Sequence, residues 1–306
     1  MTRIETALEA AFPDRSVASI ARPAEGNRKE TAIVTFGGGE RVVVQCVGDP
    51  VAFEAETRLM EEIAAGTSVP VPAVIGSGAV GSGRYRVTEY VEGHNLHTRF
   101  SSLESVDRDR IARRFGRMLA AVHDAFEFDR FGDLAVEDGE LSATGPSTYD
   151  RWFRSYARDG IDALPPAFDD LGLELSAAIE GRTPLVAPTP RLFAWDLRPG
   201  NAIAVDGRIA VVDWGEPLAA AAGLSLAKAE HLVCEWYVDD SERLRRAFRT
   251  GYGAVRSLPT VRRADRLVAV IRSAVDSDGD VTRPGYPERA GTEAVAFHRD
   301  RLRSIL

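Results

Sequence analysis

Asp196, Asn201 and Asp213 are the residues of this chain whose types and spacing could do chemistry. They lie in Arg191-Leu-Phe-Ala-Trp-Asp196-Leu-Arg-Pro-Gly-Asn201 and in Val211-Val-Asp213-Trp-Gly215. Pro199 and Gly200 keep the first segment out of a regular helix. Two short alternating runs, 202–205 and 208–212, flank Asp206-Gly207, a strong signal for a two-residue hairpin. With the hairpin centred between residues 206 and 207, Asn201 faces Val212, one residue from Asp213. An amide oxygen and a carboxylate then meet at its open end, beside the loop that carries Asp196. That donor pair is the hard-oxygen set Mg²⁺ accepts when phosphates supply other ligands.

The rest of the chain must hold this hairpin. Residues 2–12 read as an amphipathic helix, with Thr2 and Glu5 at capping-box spacing. Residues 16–22 suit a strand. Thr31–Phe36 and Arg41–Cys46, joined by Gly37-Gly38-Gly39, predict a hairpin. Residues 52–65 predict a helix with Phe53, Met60 and Ile63 on its apolar stripe, stopped by Pro70 and Pro72. Strands follow near 73–76 and 84–91, linked by Gly76–Gly83. Helical periodicity then dominates, at 107–125, 150–164, 170–180, 224–238, 241–254, 261–275 and 291–305, around the single hairpin at 202–212. Residues 276–290, rich in Asp, Gly and Pro, predict a surface loop. The expected organisation is a strand-rich unit over 1–92 and a mainly helical unit over 93–306.

The order Asp, then Asn five residues on, then Asp-x-Gly resembles a kinase catalytic loop and metal motif. The spelling Asp-Leu-x-Pro-Gly-Asn followed by Val-Asp-Trp-Gly is similar to the aminoglycoside phosphotransferase (phosphotransferase enzyme) family of small-molecule kinases. The resemblance implies an α+β, two-lobed, protein-kinase-like fold: a small antiparallel-sheet N-lobe with one long helix, and a mainly helical C-lobe. It implies transfer of a γ-phosphoryl group from ATP or GTP to a hydroxyl, with Mg²⁺. Asp196 would be the catalytic base, Asn201 and Asp213 the metal ligands, and Arg198 a counter-charge for the moving phosphoryl group. Thr88-Glu89-Tyr90-Val91-Glu92-Gly93 looks like the hinge, where backbone groups of Glu89 and Val91 would bind adenine. The loop Gly26–Glu30, with Gly26, Asn27 and Lys29, would cover the phosphates. Glu56 would orient the phosphate-binding cation.

Two positions depart from that pattern. The family usually has His two residues before the catalytic Asp, where this chain has Ala194. Its third strand should carry Lys or Arg, where this chain has Gln45, which supplies no charge. In the first hairpin Gln45 faces Thr31, and Lys29 lies just past the open end, so Lys29, or Arg28, could reach the same phosphates. Failing that, the chain would be a weak or silent nucleotide-binding scaffold. A protein kinase is less favoured, because no Ala-Pro-Glu element follows Asp213.

Composition narrows the partners. The formal charge of -8 and pI near 5.3 disfavour nucleic acid, whose phosphates need clustered cations. No apolar stretch reaches membrane-spanning length. Nothing in residues 2–12 reads as a secretion signal, and Cys46 and Cys234 each sit in apolar runs as buried free thiols, so a reducing cytoplasm is expected. Gly76-Ser-Gly78-Ala-Val-Gly81 matches a dinucleotide fingerprint, but a strand follows it rather than a helix. The five histidines show no zinc spacing. His231 and Glu235 read as a helix contact. Arg243 to Arg249 read as a solvated face, and Trp195 and Trp214 as flanking the site. The acceptor is expected between 150–180 and 225–300, where Asp169, Asp170, Glu230 and Glu235 would suit a cation or simply face water. Lys29 and Lys228 are the only lysines among 38 basic residues, which limits the candidates for a phosphate-binding lysine.

Overall fold

The computed structural model describes residues 2–23, 29–48, 50–185, 187–205, 207–276, 278–283, 285 and 287–306. Helix α1 (Arg3–Ala11) begins at the expected capping box, in which Thr2 and Glu5 satisfy each other's backbone N–H. Strands β1 (Val17–Ala21), β2 (Glu30–Phe36), β3 (Arg41–Val47), β4 (Val74–Val80) and β5 (Gly83–Glu89) follow, with α2 (Val51–Gly66) between β3 and β4. They form one antiparallel sheet in the order β1-β2-β3-β5-β4. Thr31 pairs with Gln45 as the hairpin register requires. The period of two sends Val42, Val44 and Cys46 to one face, packed with Ile4, Ala7 and Leu8 of α1. It sends Gln45 to the opposite face. The strand near 73–76 runs on to Val80, so the glycine-rich stretch is mostly strand with a tight turn at Gly81-Ser82, and no helix follows.

Beyond this sheet come β6 (His94–Asn95), α3 (Ser105–Ala125), β7 (Gly132–Glu137), β8 (Glu140–Ala143), α4 (Tyr149–Asp162), α5 (Asp169–Glu180) and β9 (Pro190–Phe193). The chain continues through β10 (Ala202–Val205), β11 (Arg208–Val211), β12 (Leu218–Ala221), α6 (Ala222–Cys234), α7 (Ser241–Gly253), α8 (Arg263–Ile271), β13 (Thr282–Arg283), β14 (Arg289–Ala290) and α9 (Thr292–Ile305). The helices stand where periodicity puts them. The expectation of a single hairpin in this part is corrected. A second, β7–β8, turns at Asp138 and Gly139, both at positive φ, and joins a sheet ordered β8-β7-β12-β9. The loop 276–290 also contains the short pair β13–β14.

Helix α6 is buried from Gly223 to Cys234, and α3, α7 and α8 pack against it. Helices α3 and α7 cross with backbones in near contact. A Cβ on Gly116 would stand 2.0 Å from the Phe248 carbonyl oxygen, and one on Gly251 1.9 Å from that of Arg113. Only glycine permits that approach. Cys46 and Cys234 are buried free thiols as expected.

Many acids and bases of these helices are paired with each other: of the basic run Arg243 to Arg249, read as a solvated face, Arg246 is exposed while Arg243, Arg245 and Arg249 are partly exposed and ion-paired. Glu230 is bound by Arg249, Arg266 and Arg245. Arg245 and Arg301 both reach Glu235, and Arg243 pairs with Asp109. His231 Nε2 accepts from Trp236 Nε1 at 2.7 Å, so its proton lies on Nδ1, 2.6 Å from Glu235. Burial pushes the Glu235 carboxyl up, but the His231 hydrogen bond and the two arginines outweigh it and hold it at about 2. Its stabilisation is therefore fully present above the unfolded value of 4.5 and is lost as pH falls through about 2. Two outcomes are expected. Glu235→Gln should cost on the order of 3 kcal/mol at pH 7, by removing the charge from a buried carboxylate that holds two half-buried arginines and His231, and should flatten the acid limb of a Tm-against-pH curve. Gly116→Ala should lower stability by about 1–3 kcal/mol or more in urea melts, through forced separation of α3 and α7.

Candidate active site

The site is built on the β10–β11 hairpin. Ala202 pairs with Val211, and the Val212 N–H donates to the Asn201 carbonyl at 2.9 Å, so Asn201 and Val212 do face each other at its open end. A single 3₁₀ turn, Pro199–Asn201, brings the chain from the Asp196 loop into β10. The hairpin is held on both sides. The Val211 N–H donates to the Pro70 carbonyl, and β6 pairs with β10, with Leu96 N–H on the Ala202 carbonyl.

Asn201 Nδ2 donates to the Asp196 carbonyl at 3.0 Å and to Asp196 Oδ2 at 2.6 Å. Both amide protons are thus spent on the Asp196 loop, which leaves Asn201 Oδ1 as an acceptor. Arg198 Nε lies 2.8 Å from Asp196 Oδ1. Asp213 Oδ1 accepts from Lys29 Nζ and from the Gly215 N–H, each at 3.0 Å. No hydrogen bond among the described residues goes to its Oδ2. Burial raises the Asp213 carboxyl, but Lys29 and the Gly215 N–H outweigh it and hold it below the ordinary carboxylate range. A Cβ on Gly215 would stand 3.2 Å from Asp213 Oδ1 and 3.6 Å from Lys29 Nζ, so the glycine leaves this cluster open. The free oxygens of Asn201 and Asp213 fit Mg²⁺ as a two-ligand protein site completed by phosphate and water. Among the described residues no larger group of His, Cys, Asp or Glu is gathered for a metal.

Lys29 Nζ also donates to Glu56 Oε1 at 2.7 Å. Glu56 Oε1 is thus met by one cation from the loop before β2 and by a second from β5. Arg86, on β5 directly opposite Gln45, is 1% exposed. Its Nη2 donates to Glu56 Oε1 at 2.8 Å and to Gln45 Oε1 at 2.6 Å. Gln45 is neutral for a physical reason: a cation there would sit against Arg86 across the strands. Sequence reasoning missed Arg86. Its signal was the alternation of Arg84 and Arg86 with Tyr85 and Val87, which becomes informative only once β5 is known to lie beside β3.

Glu89 ends β5, and its N–H is taken by the Ala73 carbonyl; Val91 follows, half-buried. Gly26, Asn27 and Arg28 lie outside the described residues. Trp195 and Trp214 do flank the site, lining a cavity with Asp196, Asp213, Leu59 and Phe193. The acids expected to suit a cationic acceptor are mostly engaged. Asp170 pairs with Arg299 and Arg303, and Glu230 and Glu235 are buried in their arginine cluster. Asp169 is exposed at the start of α5.

The model of the phosphotransferase enzyme family matches residues 19–265, and the chain belongs to that family. Its α+β fold is the kinase-like fold of solved phosphotransferases. No curated protein sequence matches it. Among solved structures it is similar to a thermostable mutant of aminoglycoside phosphotransferase APH(4)-Ia, in ternary complex with ADP and hygromycin B. The TM-score there is 0.69 and the identity 18%, over 99% of this chain and 98% of that one. It is also similar to a candidate fructosamine-3-kinase from Thermobifida fusca YX-ER1, with TM-score 0.61 and 21% identity over 99% of this chain and 100% of that one.

The Gln45–Arg86 pair is testable without any substrate. Arg86→Met should cost about 3–5 kcal/mol in chemical denaturation, because it strips one buried partner from Glu56. Gln45→Lys should destabilise alone, and much less in combination with Arg86→Gln.

Proposed function

We propose that the protein transfers the γ-phosphoryl group of ATP, or of GTP, to a hydroxyl of a small molecule. The observation that carries this reading is the convergence of Asp196, Asn201, Asp213 and Lys29 at one end of the hairpin, each with the partner its role needs. Residues 1–92 would form the nucleotide-binding lobe and 93–306 the lobe that carries the catalytic loop and acceptor pocket. Adenine would use the Glu89 carbonyl and backbone groups of Val91, since the Glu89 N–H is engaged. Gly26 and Asn27 would cover the phosphates. The ADP and AMP-PNP complexes of the similar structures favour an adenine nucleotide.

In the reaction the acceptor oxygen bonds to the γ-phosphorus while the bond to the β–γ bridging oxygen breaks, and the nucleoside diphosphate leaves. Asp196 orients the acceptor hydroxyl and takes its proton. Asn201 and Asp213 would hold Mg²⁺, which when bound offsets charge on the phosphates. Lys29, swinging from Asp213 while Arg86 keeps Glu56 neutralised, would bind the phosphates in the role expected of the third-strand cation. Arg198 sits where negative charge builds on the transferring group. Most of the acceleration comes from positioning and fixed charge.

The test is thermal stabilisation by ATP and by GTP, with and without Mg²⁺, followed by ADP release with hydroxyl acceptors. Wild type should gain roughly 2–3 kcal/mol, seen as a rise in Tm, at nucleotide near one hundred times Kd. Asp213→Ala should lose the Mg²⁺-dependent part, and Lys29→Met should bind nucleotide more weakly. Asp196→Asn should keep the shift while turnover falls by roughly 10²–10⁴-fold. Binding without turnover on any acceptor would favour a silent scaffold, and no shift with either nucleotide would sink the kinase reading.

A further inference from the structure

One of the chain's two lysines, Lys29, belongs to the cluster at Asp213. The other, Lys228, stands in the middle of α6 and is 1% exposed. Its Nζ donates to the Arg272 carbonyl at 2.8 Å and to Ser273 Oγ at 2.7 Å. The same ammonium lies 4.5 Å from the centre of the Trp195 ring. Trp195 is gripped at its edge as well, where Nε1 donates to the Tyr156 hydroxyl at 3.0 Å. Tyr156 is itself fixed, stacked on Trp152 at 4.8 Å and covered by the Arg272 guanidinium at 4.3 Å. An indole held on one face by a cation and at its edge by a hydroxyl has little freedom to turn. Trp195 is the residue immediately before Asp196. Ala194, one further back, has only a methyl group, buried in the core, with which to brace the loop.

We propose that Lys228 and Tyr156 are positioning residues for phosphoryl transfer: by fixing the Trp195 indole they fix the approach of the chain to Asp196, the bracing that Ala194 cannot provide. This rests on reading Asp196 as the base. The device is worth rate because a displacement of about 1 Å at a catalytic group can cost roughly 10²-fold.

Lys228 is surrounded by Asp196 and Arg198 from the catalytic loop, Glu216 from the segment after β11, and Arg272 and Ser273 after α8. His231 lies on its own helix and His298 on α9. Burial pushes its amine down to about 7, with Asp196 opposing. The charge over the indole is therefore present at lower pH and fades as pH rises through about 7.

The experiment compares wild type with Lys228→Met, Lys228→Arg and Tyr156→Phe. It measures the Tm shift with Mg-ATP, ADP release from Mg-ATP across pH, and hydrogen exchange of residues 192–201 with Mg-AMP-PNP bound. Lys228→Met should keep the nucleotide shift and a KM for ATP within about two-fold. Its kcat should fall at least about ten-fold, exchange in 192–201 should quicken, and the loss of activity above pH 7 expected of wild type should be absent. Tyr156→Phe should act in the same direction but less. Lys228→Arg should recover part of kcat, because a charge remains over the indole. Where ADP release is too slow to measure, exchange in 192–201 decides in the same sense. If Lys228→Met does not fold, Tyr156→Phe carries the test, since it removes one hydroxyl. A wild type with no Mg-ATP shift overturns the reading of the site and this proposal with it. A normal nucleotide shift, with kcat and exchange in 192–201 unchanged in the variants, overturns the positioning role alone and leaves the kinase reading standing.

Discussion

Glu56 is an acid almost wholly removed from water, and the arrangement of the site follows from the need to keep it charged and satisfied. A lone buried carboxylate would take up a proton or open the fold. Here two cations, Arg86 and Lys29, converge on the same oxygen, and Lys29 in turn touches Asp213. Two acids and two bases form one balanced group spanning α2, β5, the start of β2 and the end of the catalytic hairpin. Arg86, fixed between strand and helix, neutralises Glu56 permanently. Lys29, just before β2, bridges Glu56 and Asp213. Where a single third-strand cation would have to anchor the helix acid and meet the phosphates, the proposed function would divide those tasks between two residues of this chain.

That division explains which parts of the site were readable in advance. The hairpin around Asp206-Gly207 could be registered by counting alone, so the meeting of Asn201 with the residue next to Asp213 followed from local pattern. Lys29 could be placed beside Gln45 for the same reason, since both lie on one hairpin. Arg86 could not. Its contact with Gln45 depends on β5 lying beside β3, a pairing across the intervening helix α2 and strand β4 that no turn signal encodes. Lys228 and Tyr156 were hidden similarly, since α4, α6 and the catalytic loop meet only in the packed molecule. The strand-rich beginning and the helices were legible because their apolar periods are long and regular.

The β7–β8 hairpin is a different kind of omission. Glu137-Asp138-Gly139-Glu140 carries the same Asp-Gly signal as the catalytic hairpin, and its φ values are those of a type I′ turn. Its flanking runs are short and partly polar, and β7 is paired by β12, far along the chain, so local pattern alone does not mark it as a strand pair. The four acids near the expected acceptor region show the opposite effect. Sequence exposes charge but not its partner, and only packing reveals that Glu230 and Glu235 spend their charge on arginines of α7, α8 and α9.

The clasp on the β10–β11 hairpin has a mechanical consequence. The chain passes the hairpin twice on its way out of and back to the large sheet, once at Pro70 and once at His94–Leu96, and each passage is hydrogen-bonded to it. The two crossings sit on opposite strands of a ribbon only two strands wide. The ribbon that carries Asn201 and leads to Asp213 is thus tethered along both edges, so a shift of either passing segment is transmitted to the amide and acid oxygens together.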